Sequence, residues 1–211
     1  MKAFSNTLMA LLASSGLCIA AHAQVGNNTA VLNPDIADEA ALGDVPHLDD
    51  TLVTAIVEQR PFSDMLALDA LLRPSLGEAE RKEVYGKLFL PINLNSASET
   101  EILLIPGMSN RMAHEFEEYR PYTSLTQFRR EIGKYVDAQE VARFEQYVFV
   151  PLDLNSATRE DFLTIPGAGE RMVREFLEYR PYTSMEQFRR EIGKYVDEDE
   201  VARLERYMTI R

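Results

Sequence analysis

The sequence predicts an all-α fold made of tandem repeats of about 60 residues, with short helices arranged in paired hairpins. Three observations carry this. The chain matches itself at an offset of 60, helix-capping patterns recur inside each copy, and apolar residues follow those caps at helical spacing.

The self-match is strongest in the last two copies. PINLNSASETEILLIPG from Pro91 aligns with PLDLNSATREDFLTIPG from Pro151, and 37 of the 60 positions in 91–150 are identical to those in 151–210. The same offset applied backwards finds a worn first copy. Pro46 aligns with Pro106, Arg60-Pro61-Phe62 with Arg120-Pro121-Tyr122, and Leu90-Pro91 with Val150-Pro151. His47 stands where the second copy has Gly107, so this copy is expected to keep the fold and to have lost any glycine-dependent site. The predicted organisation is a signal segment over 1–23, a flexible lead-in over 24–44, a degenerate helical repeat over 45–90, and two well-formed repeats over 91–150 and 151–211.

Helix starts are marked by a short polar residue followed three positions later by an acidic or amide one. Ser96 with Glu99, Ser124 with Gln127 and Asp137 with Glu140 follow this pattern, as do Ser184 with Gln187 and Asp197 with Glu200. Met112, Phe116 and Tyr119 then fall on one helix face, Phe128 and Ile132 on a second, Val141 and Phe144 on a third. Each repeat therefore reads as four short helices. Its first turn is Pro106-Gly107-Met108-Ser109 or Pro166-Gly167-Ala168-Gly169, and its second lies at Gly133–Val136 or at the copy beginning with Gly193. Helices shorter than about 12 residues are marginal alone, so packing must hold them. FVPLDLN, between the copies, should run extended as a linker.

The N-terminus carries Lys2, an apolar run from Leu8 to Ala21 and a small-x-small Ala21-His22-Ala23, the layout of a cleavable secretory signal. A soluble periplasmic or secreted protein starting near Gln24, with no membrane span, is the expectation. The single cysteine, Cys18, lies inside that signal, so disulfides, a thiolate zinc site and a cysteine nucleophile are excluded from the processed chain. His47 and His114 lack a second histidine at ligand spacing, and the acidic runs sit at helix starts, where the helix dipole accounts for them. No catalytic group, metal or cofactor is expected. The formal net charge is −12, which opposes long-range attraction to polyanions.

LDLNSATREDFLTIPGAGERMVREFLEYRPYTSMEQF, residues 152–188, resembles the helix-hairpin-helix module of ComEA-like competence DNA receptors: an LN-x-A lead, a P-G-x-G turn, a following helix and an aromatic-Ser second half. The likeness covers residues 91–211 in two copies. It implies a turn whose backbone N–H groups, at the start of the second helix, hold a phosphate of duplex DNA without reading sequence. Carried onto this chain, the implied site is Gly167, Ala168, Gly169, Glu170, Arg171 and Arg174 in the third copy, with Gly107, Ser109 and Arg111 in the second. Ser109 replaces the second glycine of the pattern, and Glu170 sits where an incoming phosphate would be crowded. An alternative reading uses the hairpins only as the scaffold of an acidic protein-protein interaction or structural module with an unidentified protein partner. Such a module would present an apolar docking patch.

Overall fold

The computed structural model describes residues 30–211, so the expected signal segment, Cys18 and the first residues of the lead-in lie outside the described residues. The described chain is mostly helical, as predicted, and its helices are short.

The first copy holds α1 (Glu39–Gly43), α2 (Asp50–Glu58), α3 (Met65–Leu72) and α4 (Glu78–Tyr85). The second holds β1 (Ile92–Asn93), α5 (Glu99–Ile102), α6 (Asn110–Glu118), α7 (Leu125–Ile132), α8 (Ala138–Glu145) and β2 (Val148–Phe149). The third holds β3 (Leu152–Asp153), α9 (Arg159–Phe162), α10 (Glu170–Glu178), α11 (Met185–Ile192), α12 (Glu198–Glu205) and β4 (Met208–Thr209). Residues 50, 110 and 170 each open the second helix of their copy.

Most helices start as the caps require. The side chains of Ser124, Asp137, Ser184 and Asp197 each accept a hydrogen bond from the backbone N–H three residues on. One position differs: α5 is capped by Ser98, whose hydroxyl accepts from Glu101 N, and not by Ser96. Ser96 instead lies in the turn that Asn93 closes, its N–H donating to the Asn93 carbonyl. A polar residue two positions upstream offered the same spacing to Glu99, and only the turn geometry separates the two.

The stretch expected to be a flexible lead-in is folded from residue 31 onward. Asp38 caps α1 by accepting from Ala41 N at 2.7 Å, and Leu42 is fully buried. Leu32 forms a parallel bridge with Leu88: its N–H donates to Lys87 O at 2.7 Å and its carbonyl accepts from Phe89 N at 2.9 Å. The small and acidic residues that looked like a linker are a capped turn of helix, and the first copy begins before residue 45.

The linkers run extended, and they also pair. Ile92 and Asn93 lie parallel to Val148 and Phe149, and Leu152 and Asp153 lie parallel to Met208 and Thr209. Each copy is thus closed by its own beginning and end, with the Leu32–Leu88 bridge as the first-copy counterpart. The pairing satisfies backbone groups that a buried extended segment would otherwise leave without partners. Val148, Phe149 and Val150 are fully buried.

A second brace ties each copy's opening segment to the loop before its third helix. Asn95 accepts from Tyr122 N at 2.6 Å and donates to Tyr122 O at 2.9 Å; Asn155 does the same to Tyr182 at 2.7 and 2.9 Å. Arg120 donates to the carbonyls of Leu94 and Ala97, and Arg180 to those of Leu154 and Ala157. The LN-x-A lead and the Arg-Pro loop are therefore halves of one internal clamp.

The copies pack on one another. Phe89 meets Tyr147 edge-on at 5.0 Å, Phe149 meets Tyr207 at 4.7 Å, and Glu101 accepts from Met65 N at 3.1 Å across the first and second copies. Arg206 of the third copy donates to Pro91 O at 2.5 Å, and Asn33 of the first donates to the Tyr207 hydroxyl at 3.3 Å. Among the described residues, no helix is long and apolar enough to cross a membrane.

Candidate nucleic-acid interface

The turn between the first two helices of each copy requires a left-handed residue: φ is +75° at Gly107, +77° at Gly167 and +67° at His47. Glycine adopts this freely, and histidine does so at a cost. Beneath the turn lies an arginine that the sequence reading did not single out. Arg143 donates to Pro106 O at 2.5 Å, and its counterpart Arg203 donates to Pro166 O. Each is also held by the glutamate three residues before it, Glu140 or Glu200, at 2.6–2.7 Å.

A Cβ on Gly167 would lie 3.0 Å from the Arg203 guanidinium and 3.3 Å from Ile36 Cγ2, so this glycine serves close approach as well as backbone sign. In the first copy both partners have changed together: His47 replaces the glycine, Glu83 takes the arginine's place, and the two meet at 2.8 Å. The only sequence signal for Arg143 and Arg203 was the repeat alignment itself, in which they match each other and oppose Glu83.

The residue two positions after this glycine or histidine caps the following helix, and here the three copies differ in a way that bears on ligand binding. Asp49 caps α2, its carboxylate accepting from Leu52 N at 2.9 Å. Ser109 caps α6, its hydroxyl accepting from Met112 N at 3.2 Å. Gly169 precedes α10 and offers no side-chain acceptor, so the N–H groups of the first turn of α10 have no side-chain cap among the described residues. Gly169 is exposed, and none of the described residues lies within 4 Å of where its Cβ would be. An uncapped helix start of this kind presents donors and the positive end of the helix dipole to solvent.

The expected site residues are placed as follows. Gly167, Gly169, Glu170, Arg171 and Arg174 are exposed, and Ala168 is half-buried. Arg171 forms no ion pair among the described residues, whereas Arg174 reaches Glu175 at 3.1 Å. Glu170 is drawn aside to Arg159 on α9, which offsets part of its charge at the helix start. In the second copy Gly107, Ser109 and Arg111 occupy the same positions, but the Ser109 hydroxyl fills the acceptor role that a phosphate would take.

The second turn has a different origin. Gly133 and Gly193 are right-handed, and each would bring a Cβ to 2.6 or 2.8 Å from the carbonyl of Arg129 or Arg189. They allow a tight helix end, and each lines a shallow groove beside the helix that follows, Gly133 with Arg129, Val141 and Glu145 and Gly193 with Arg189, Val201 and Glu205. The tyrosines of the Arg-Pro loop split into two kinds. Tyr119 and Tyr179 are half-buried and share a hydrogen bond with Tyr135 and Tyr195 at 2.8 and 2.9 Å. Tyr122 and Tyr182 are buried to the tip, and their hydroxyls have no partner among the described residues.

No protein-family model, curated protein or solved structure matches this chain.

Proposed function

We propose that this is an exported, non-catalytic protein that binds the backbone of duplex DNA weakly and without sequence preference, through the turn and helix start Gly167–Arg171 of the third copy. The observation that supports this most is the uncapped start of α10: three equivalent turns carry aspartate, serine and glycine at the capping position, and only the glycine leaves the third N–H of its helix, that of Met172, without a side-chain acceptor among the described residues. Arg171, exposed in the first turn of that helix, supplies a cation beside those donors, and Arg174 follows one turn on. Contacts of this type hold phosphate and carry no base information.

The alternative protein-docking role calls for a contiguous apolar surface. Among the described residues, the exposed large hydrophobics are Ile36, Tyr135 and Tyr195, and both tyrosines are tied up in hydrogen bonds. This favours the phosphate reading, which acts through local donors despite an acidic chain.

Fluorescence anisotropy of a labelled duplex tests it, with wild-type protein beside Gly169→Asp and the double variant Arg171→Glu/Arg174→Glu. Saturable binding in the wild type, weakened by salt and abolished in both variants, is the expected result. Absence of binding at low salt, or binding unaffected by Gly169→Asp, contradicts the proposal.

A further inference from the structure

Asp35 occupies the place that Asn95 and Asn155 hold in the other copies, and a carboxyl group there meets an amide's surroundings. Asn155 uses its two side-chain atoms differently: Oδ1 accepts from Tyr182 N, and Nδ2 donates to Tyr182 O. In the first copy, Asp35 Oδ1 accepts from Phe62 N at 3.0 Å, reproducing the first bond. Its other oxygen, Oδ2, is buried and has no hydrogen-bond partner among the described residues. In the second and third copies a backbone carbonyl meets the amide at that point, and an ionised carboxylate has no proton to offer such an acceptor.

We propose that Asp35 is a proton-dependent latch: its carboxyl takes up a proton, donates it to the Phe62 carbonyl as the asparagine amides do, and so fastens the opening segment of the chain more tightly in acid than at neutral pH. The surrounding charges come from several elements. Arg60 lies in the loop between α2 and α3, with its guanidinium committed to Pro34 O and Ala37 O. Arg203 and Arg206, on and after α12, act on Asp35 from the third copy and favour the ionised form, as does the hydrogen bond from Phe62 N. Burial outweighs them and raises the Asp35 pKa above the ordinary aspartate range.

A raised folded-state pKa means that the folded protein binds the extra proton. The stabilisation is fully present below the unfolded aspartate value of about 4 and is lost as pH rises through the folded pKa. The latch also bears on the junction between copies. The same segment carries Asn33, bonded to Tyr207, and Ile36, set against Gly167.

The test compares wild type with Asp35→Asn by thermal unfolding from about pH 5 to about pH 8, together with hydrogen exchange of residues 31–44. Asn supplies the missing donor at every pH. Asp35→Asn should therefore raise Tm by about 3 °C near pH 8, with the gain shrinking as pH falls. Protection of 31–44, corrected for intrinsic exchange rates, should increase in acid for the wild type and stay level in the variant. An Asp35→Asn protein no more stable than wild type near pH 8 overturns the proposal. So does one with an unchanged pH profile, or equal pH dependence of exchange in both proteins.

Discussion

At the scale of single residues, the three copies serve as an internal mutational series. Asp49, Ser109 and Gly169 occupy one backbone position, and the side chain there decides whether the N–H three residues on is met by an acceptor or left open. Position 47/107/167 and position 83/143/203 change as a pair, glycine with arginine or histidine with glutamate. The series also makes a prediction about the buried tyrosines. Tyr182 carries a buried hydroxyl without a partner among the described residues, and the first copy already has Phe62 at that place. Burying an unsatisfied hydroxyl costs about 1–3 kcal/mol. Tyr182→Phe should therefore be neutral or stabilising in urea denaturation, and a loss of more than about 1 kcal/mol would show a hydroxyl contact that the geometry lacks.

At the scale of elements, most helices were legible because their caps are local: a serine or aspartate and the N–H three residues on are neighbours in sequence and in space. Gly107 and Gly167 were legible as turn residues for the same reason. The parts that escaped notice depend on distant partners. Arg203 reaches the Pro166 carbonyl from 37 positions away, and Asn155 reaches Tyr182 across 27. No periodicity announces such contacts. The opening segment 31–44 was misread because a five-residue capped helix of small and acidic residues, with Leu42 its one buried residue, has the composition of a linker. The clamp between lead and loop can be tested at the element it holds. Asn155→Ala leaves the Tyr182 N–H and carbonyl without their partner, and should destabilise the third copy by about 2–3 kcal/mol in urea unfolding. A change below about 0.5 kcal/mol would mean that the clamp is not structural.

At the scale of the whole molecule, composition and local geometry pull in opposite directions. The formal charge is −12, and the ion pairs of the helix surfaces absorb most of the cations: Arg129 with Glu145, Arg189 with Glu205, Lys134 with Glu131 and Lys194 with Glu191. Only a few cations remain to meet a polyanion. Since each neutralised phosphate contributes about 0.9 to the slope of log affinity against log salt, a single turn with Arg171 and Arg174 should give a slope of roughly 2. Changing the duplex sequence at constant length should leave affinity unaltered. A slope of roughly 6 or more would require a wider basic surface than these copies present.

The central claim is that one of three equivalent helix starts is open to phosphate. Backbone amide chemical shifts, recorded by NMR during titration with a short duplex at low salt, address it most directly. The account predicts that Gly169, Glu170, Arg171 and Met172 shift together and saturably, while Ser109, Asn110, Arg111 and Met112 stay in place because Ser109 already fills that position. Shifts of equal size at both helix starts, or none at Gly169–Met172, would contradict it.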